Sequence, residues 1–203
     1  MIRNVIFDMG MVLLMYNPTM ACMRHTGCQK EKAAALRREI FDGPDWVRLD
    51  GGFLTEDELI AGAQERLDSP ELKALVPSVM EDWHLDSLWP YPGMEEVVRS
   101  LHQRGYRLYI LSNAGVRFRA YQYKIPCVEL FTDILVSAEE KMLKPDPKIF
   151  HHLCRKFGIA EEESLFIDDV SKNVEGAQAV GMKGYCFADG SVERLKDFLQ
   201  TLA

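Results

Sequence analysis

The sequence predicts an α/β fold: a parallel five-stranded sheet flanked by helices, with an all-helical segment inserted after the first strand. Three observations predict it. The runs "NVIFD", "YRLYILSN", "DILVS", "SLFIDD" and "KGYCF" have the length and the β-branched or aromatic content of buried strands. Helical patterns such as "MEEVVRSLHQRG" and "PKIFHHLCRKFG" lie between the later runs, and strand alternating with helix means a parallel sheet. Between residues 16 and 89 the strand signals stop and helical patterns follow one another. The expected division is therefore a core of residues 1–15 and 90–203 and an inserted cap of residues 16–89.

The first strand, "NVIFD", puts Val5, Ile6 and Phe7 in a row before the single carboxylate of Asp8. A charge at the end of a buried strand costs several kcal/mol unless it is paired or bound to a cation. In the insert, "KEKAAALRREIF", "TEDELIAGAQERL" and "ELKALVPSVMEDWHL" read as successive helices, the second opened by a Thr55/Glu58 capping box. "WPYPG" marks the return to the core. The helices of the second half place apolar residues three and four apart and end at Gly105 and Gly158, where glycine supplies the left-handed turn. An insert after the first strand is expected to sit above the carboxyl edge of the sheet, where ligands of open α/β sheets bind.

The chain has 203 residues, 47% of them hydrophobic and 27% charged, with a formal net charge of −7. That size allows one core plus an appended unit, and the acidic balance speaks against nucleic acid or an anionic membrane surface as partner. The N-terminal apolar run is too short to span a membrane. The five cysteines are scattered and show no CxxC spacing, so neither a disulfide framework nor a zinc site is indicated and a cytoplasmic location is expected. No oligomeric state follows from the sequence.

The residues read as terminating the strands are Asp8, Ser112 with Asn113, Lys144, and Asp168 with Asp169. A carboxylate, a hydroxyl, an ammonium and an acidic pair together suit a divalent cation and a phosphoryl group. Taken singly, each has an ordinary explanation: a turn or cap residue, a loop polar group, a solvated lysine. Their joint placement at successive strand ends favours the functional reading.

In the same order, "VIFDMG", "LSN", "KPDPKIF" and "FIDDVSKNVEGAQAVGM" resemble the four motifs of the haloacid dehalogenase-like (HAD) hydrolase superfamily over nearly the whole chain. The resemblance implies a Rossmann-like core with a helical cap and a Mg²⁺-dependent phosphatase acting on a small phosphorylated metabolite, such as a sugar phosphate. It implies that Asp8 is the nucleophile and forms an aspartyl-phosphate. It also implies that Asp8, the Gly10 carbonyl and Asp169 hold the metal, with Asp168 in support. Ser112, the Asn113 backbone amide and Lys144 would bind the phosphoryl oxygens.

Two positions depart from the pattern. Most phosphatases of the superfamily carry a second aspartate, the proton carrier, where this chain has Gly10. Proton transfer of that kind is worth roughly a hundred to ten thousandfold in rate, so a low-turnover phosphate-binding protein is the alternative reading. Asn173 stands where many relatives have an acid that supports the metal. Dehalogenation, which needs no metal, is disfavoured by the Asp168–Asp169 pair. His84, near the return from the insert, is a candidate to overhang the site and replace the missing acid. Trp46 and Trp83 could line a pocket under the cap, but buried anchors of a helical bundle are the commoner case, and neither is assigned to the site; "RFRAYQYK" could bind an anionic substrate, but a solvated helix face is the commoner reading.

Overall fold

All five strand-like runs form strands of one sheet in a computed structural model that describes residues 1–202. The first half of the chain contains β1 (Asn4–Phe7), β2 (Leu14–Tyr16), α1 (Thr19–His25), α2 (Lys30–Ile40), α3 (Pro44–Asp50), α4 (Glu56–Arg66), α5 (Pro70–Ser87) and β3 (Leu88–Pro90). The second half continues with α6 (Met94–Gln103), β4 (Arg107–Ser112), α7 (Phe118–Tyr121), β5 (Asp133–Val136), α8 (Ser137–Glu140) and α9 (Pro147–Phe157). It ends with β6 (Ser164–Asp168), α10 (Ser171–Ala179), β7 (Lys183–Cys186) and α11 (Val192–Gln200). Among the described residues no helix is long and apolar enough to cross a membrane.

The sheet order is β5-β4-β1-β6-β7, and every pairing in it is parallel. Strand alternation explains how the sheet is covered on both faces. Val5, Phe7, Leu108, Ile110, Leu165 and Ile167 turn to one face, where α6 and α11 contribute Val98, Leu101 and Leu195. Ile6, Tyr109, Leu111 and Phe166 turn to the other, against Ile149, Phe150 and Leu153 of α9 and Ala177 of α10.

The insert contains five helices rather than the three read from sequence; the additional ones, α1 and α3, are seven residues each. Thr55 and Glu58 form the predicted capping box, with each side chain bonded to the other residue's backbone amide. Where the chain leaves and re-enters the core, β2 and β3 pair antiparallel, with Leu14 opposite Pro90 and Tyr16 opposite Leu88. This two-stranded neck has no clear signal in the sequence. The first apolar cluster runs from the sheet face through Leu14 and Leu88 into Leu36, Val76 and Trp83 of the insert.

Candidate active site

The sheet register gathers the polar strand ends. Phe7 is paired with Ile110 on one side and Ile167 on the other, so Asp8, Ser112 and Asp168 emerge together at the carboxyl edge of the three central strands. The Asp8 amide still donates to the Ile167 carbonyl at 2.8 Å, which fixes the first residue past β1. Ser112 is the last residue of β4 and is almost fully buried.

Lys144 joins the strand ends from below. Its side chain is 0% exposed, and its Nζ lies 2.8 Å from Asp8 Oδ1 and 2.7 Å from Asp168 Oδ2. The loop carrying it is held by Asn113, whose side chain accepts from the Lys144 amide at 2.9 Å and donates to the Lys144 carbonyl at 3.0 Å. The Asn113 side chain thus has a positioning role that sequence reasoning, which considered only its amide, did not include. Gly176 permits the close approach of α10 on the other side, because a Cβ there would meet the Pro145 carbonyl oxygen at 2.6 Å.

Asp168 is fully buried and well supplied with donors. Asn173 Nδ2 reaches both of its oxygens, at 3.1 and 3.0 Å, and the Val170 amide donates to Oδ1 at 2.8 Å. Asn173, which stands where the resemblance expects an acid that supports the metal, orients Asp168. Asp169 adds a half-buried carboxylate. One oxygen from each of Asp8, Asp168 and Asp169 lies within 4.8 Å of the others.

Three carboxylates against one ammonium leave this cluster with excess negative charge. Burial, reinforced by Asp168, pushes the Asp8 carboxyl up to about 7 against the opposing pull of Lys144. Burial and then Asp168 also raise Asp169. Burial opposes the Lys144 charge, but Asp8 and Asp168 outweigh it, and the ammonium is held above its ordinary range. An all-oxygen donor set that is short of positive charge fits a hard divalent cation such as Mg²⁺.

Above the cluster lies a pocket with about 650 Å³ of empty space, part of it open to solvent. Asp8, Gly10, Ser112 and Asn113 line its floor, and Tyr16, Trp46, Leu49, Trp83, Leu88 and Tyr121 line its walls. Trp46 and Trp83 are therefore wall residues as well as packing anchors, with ring centroids 5.3 Å apart. Arg117 and Tyr121 of "RFRAYQYK" face the pocket too, so that segment is not a purely solvated face. Arg117 pairs with Glu56 of α4 across the rim, through two guanidinium nitrogens. His84 does not line the pocket. Its ring packs against Trp83 and Tyr121, at 6.0 and 5.7 Å between centroids. Asp50, at the end of α3, does line the pocket and carries no motif that would have singled it out.

The profile of the haloacid dehalogenase-like hydrolases matches residues 5–186. The chain belongs to that family. Among HAD relatives, the sesquiterpene phosphatase astK of Aspergillus oryzae is 28% identical over 196 residues, covering 92% of this chain and 90% of the relative. The (S)-2-haloacid dehalogenase 4A of Burkholderia cepacia is 26% identical over 188 residues, covering 89% and 80%. A HAD family enzyme of Bacteroides thetaiotaomicron, solved in complex with magnesium and inorganic phosphate, shares the fold. Its TM-score is 0.69 at 21% identity, over 92% of this chain and 94% of that one.

Proposed function

We propose that this HAD hydrolase is a Mg²⁺-dependent phosphomonoesterase acting on a small phosphorylated metabolite through an aspartyl-phosphate at Asp8. The observation that carries the reading is the buried cluster of Asp8, Lys144, Asp168 and Asp169 beneath a pocket floored by Ser112. Dehalogenation, which the Burkholderia relative's name raises, gives no reason to concentrate two further carboxylates around the nucleophile. The relative from Aspergillus is named a phosphatase, in agreement with this reading.

Asp8, Asp169 and the Gly10 carbonyl would hold the cation, which when bound neutralises charge on the phosphoryl group and on the carboxylates. Lys144 and the Met9 amide, the latter at 2.7 Å, both engage Asp8 Oδ1, which leaves Oδ2 as the attacking oxygen. Its attack on phosphorus forms the Asp8–phosphate bond as the ester P–O bond breaks. Water then attacks the same phosphorus, and inorganic phosphate leaves as Asp8 is regenerated. The Ser112 hydroxyl donates to a phosphoryl oxygen in both steps, and Lys144 balances its charge. The aromatic walls suit the apolar face of a sugar ring or a larger apolar group on the leaving side.

A panel of sugar, isoprenoid and aryl phosphates assayed with and without Mg²⁺ tests the reading, with Asp8→Asn as control. Mg²⁺-dependent phosphate release that Asp8→Asn abolishes while remaining folded is expected. Release that persists in folded Asp8→Asn, or that is indifferent to EDTA, would overturn it.

A further inference from the structure

Gly10 leaves the leaving alkoxide and the attacking water without a proton carrier from the strand that holds the nucleophile, and the structure offers a replacement from the insert. We propose that Asp50 is the catalytic acid and base of this site, an inference that rests on the phosphomonoesterase reading above.

Asp50 is the last residue of α3, and its side chain lines the same pocket as Asp8 and Gly10. An acid at the C-terminal end of a helix faces the negative end of the backbone dipoles, so its local position gives it no stabilisation. The surroundings do not supply the missing compensation. Burial pushes its carboxyl up to about 8, a hydrogen bond from the Gly115 amide opposes this, and the negative charge of Asp8 adds to the rise. Tyr16 and Tyr121, the other titratable groups that feel it, are themselves held protonated, first by burial and then by Asp50. A carboxyl kept neutral near pH 7 at the wall of a reaction pocket is suited to donate a proton.

The residue is also held in place. Ser137 Oγ donates to the Asp50 carbonyl and accepts from the Ala114 amide at 2.9 Å, which ties the end of α3 to the loop that follows Ser112 and Asn113. Two residues on, Gly52 sits at φ +68°, and a Cβ there would stand 2.3 Å from the Ala138 carbonyl oxygen. The insert therefore meets the core at Asp50 itself. Gly10 lines the same pocket, and a Cβ there would meet nothing within 4 Å, so no protein atom crowds that position.

In the first step the Asp50 carboxylic acid gives its proton to the ester oxygen as the P–O bond breaks and the Asp8–phosphate bond forms. In the second step the Asp50 carboxylate takes a proton from water as that water's oxygen attacks phosphorus and the Asp8–phosphate bond breaks. Asp50 is thereby returned to its acid form, and the sum of the steps is hydrolysis of the ester.

The test compares Asp50→Asn with the unmodified protein on an alkyl phosphate and on p-nitrophenyl phosphate, both with Mg²⁺. The alkyl substrate needs its leaving group protonated and should lose about a hundredfold or more in kcat/KM. The nitrophenolate leaves without a proton, so kcat/KM for the aryl substrate should change by less than about fivefold, and rapid quench should show a burst followed by slow hydrolysis. Gly10→Asp, placed in the Asp50→Asn background, should restore at least about tenfold of the alkyl activity, because it returns a proton carrier to the pocket. Equal losses on both substrates without rescue would make Asp50 structural and overturn the proposal. Alkyl activity within threefold of the unmodified protein would do the same. If Asp50→Asn is normal while Asp8→Asn is inactive, only the Asp50 inference fails; if the unmodified protein releases no phosphate from any substrate, both fail.

Discussion

Replacing Lys144 by Met keeps the apolar stem against Phe166, whose ring centroid lies 5.2 Å from Nζ, and deletes the ammonium that joins two carboxylates. Removing one partner of a buried ion pair costs about 3–5 kcal/mol, because the remaining charge stays buried without compensation. Asp168 retains Asn173 and the Val170 amide as donors, whereas Asp8 retains only the Met9 amide among the hydrogen bonds described above. The loss therefore concentrates on Asp8 and belongs at the lower end, about 3 kcal/mol at pH 8 in EDTA, on the order of a hundredfold in the folded-to-unfolded ratio. Two conditions should shrink it. Mg²⁺ supplies the missing positive charge and should recover at least about half of the loss. At pH 6 the Asp8 carboxyl, which burial raises and which in the variant loses the opposing pull of Lys144, takes up a proton and no longer needs a partner. Urea titrations of both proteins at pH 6 and pH 8, with EDTA or Mg²⁺, measure all four cases. A loss under about 1 kcal/mol at pH 8 in EDTA, or the same loss with and without Mg²⁺, would refute the electrostatic account of the cluster.

Asp169→Ala should abolish Mg²⁺ binding in a calorimetric titration without unfolding the chain, and unaltered binding would place the metal elsewhere. Ser112→Ala should keep Mg²⁺ binding but lower kcat/KM by about 1–3 kcal/mol of transition-state stabilisation, since one donor to the phosphoryl group is lost. Asp50→Asn should alter the pH dependence of stability in a defined direction. The raised carboxyl binds its proton more tightly folded than unfolded, so its contribution is complete below about 4 and is lost as pH rises through about 8. The melting temperature of Asp50→Asn should gain on the unmodified protein from pH 5 to pH 8 by at least about 2–4 °C, and parallel curves would contradict the burial of a neutral acid.

The sheet was legible because its strands are short apolar runs whose ends carry polar groups, and parallel register then brings those ends together. Asp8, Ser112 and Asp168 became neighbours through register alone. What was not legible depended on contacts distant in sequence. The neck strands are three residues each, too short for a periodic signal, and one of them ends in Pro90. Asp50 stands in "RLDGGF", which reads as a helix end, and the docking of α3 on Ser137 and Ala138 brings it to the pocket that Asp8 also lines. His84 shows the converse, since proximity to the site in sequence did not give it a side chain in the pocket. The side-chain bonds of Asn113 to Lys144 and of Asn173 to Asp168 were not legible either, because side-chain partners follow from loop geometry that residue type does not specify.

The neck also bears on how quickly the chain can find its fold. Asn4 pairs with Arg107 in the centre of the sheet, so β1 and β4 must meet across about a hundred residues, a separation that slows folding through the entropy of closing the loop. Pairing of Leu14 with Pro90 removes most of that chain from the search and leaves roughly a quarter of it to be closed. At about 0.6 kcal/mol for each halving of loop length, early zipping of β2 with β3 lowers the closure cost for the central strands by roughly 1.2 kcal/mol. Closing the neck spans roughly three-quarters of the same chain and costs nearly as much, so these six residues outside the main sheet move the entropy of closure to the insert's own step and leave only short loops for the sheet.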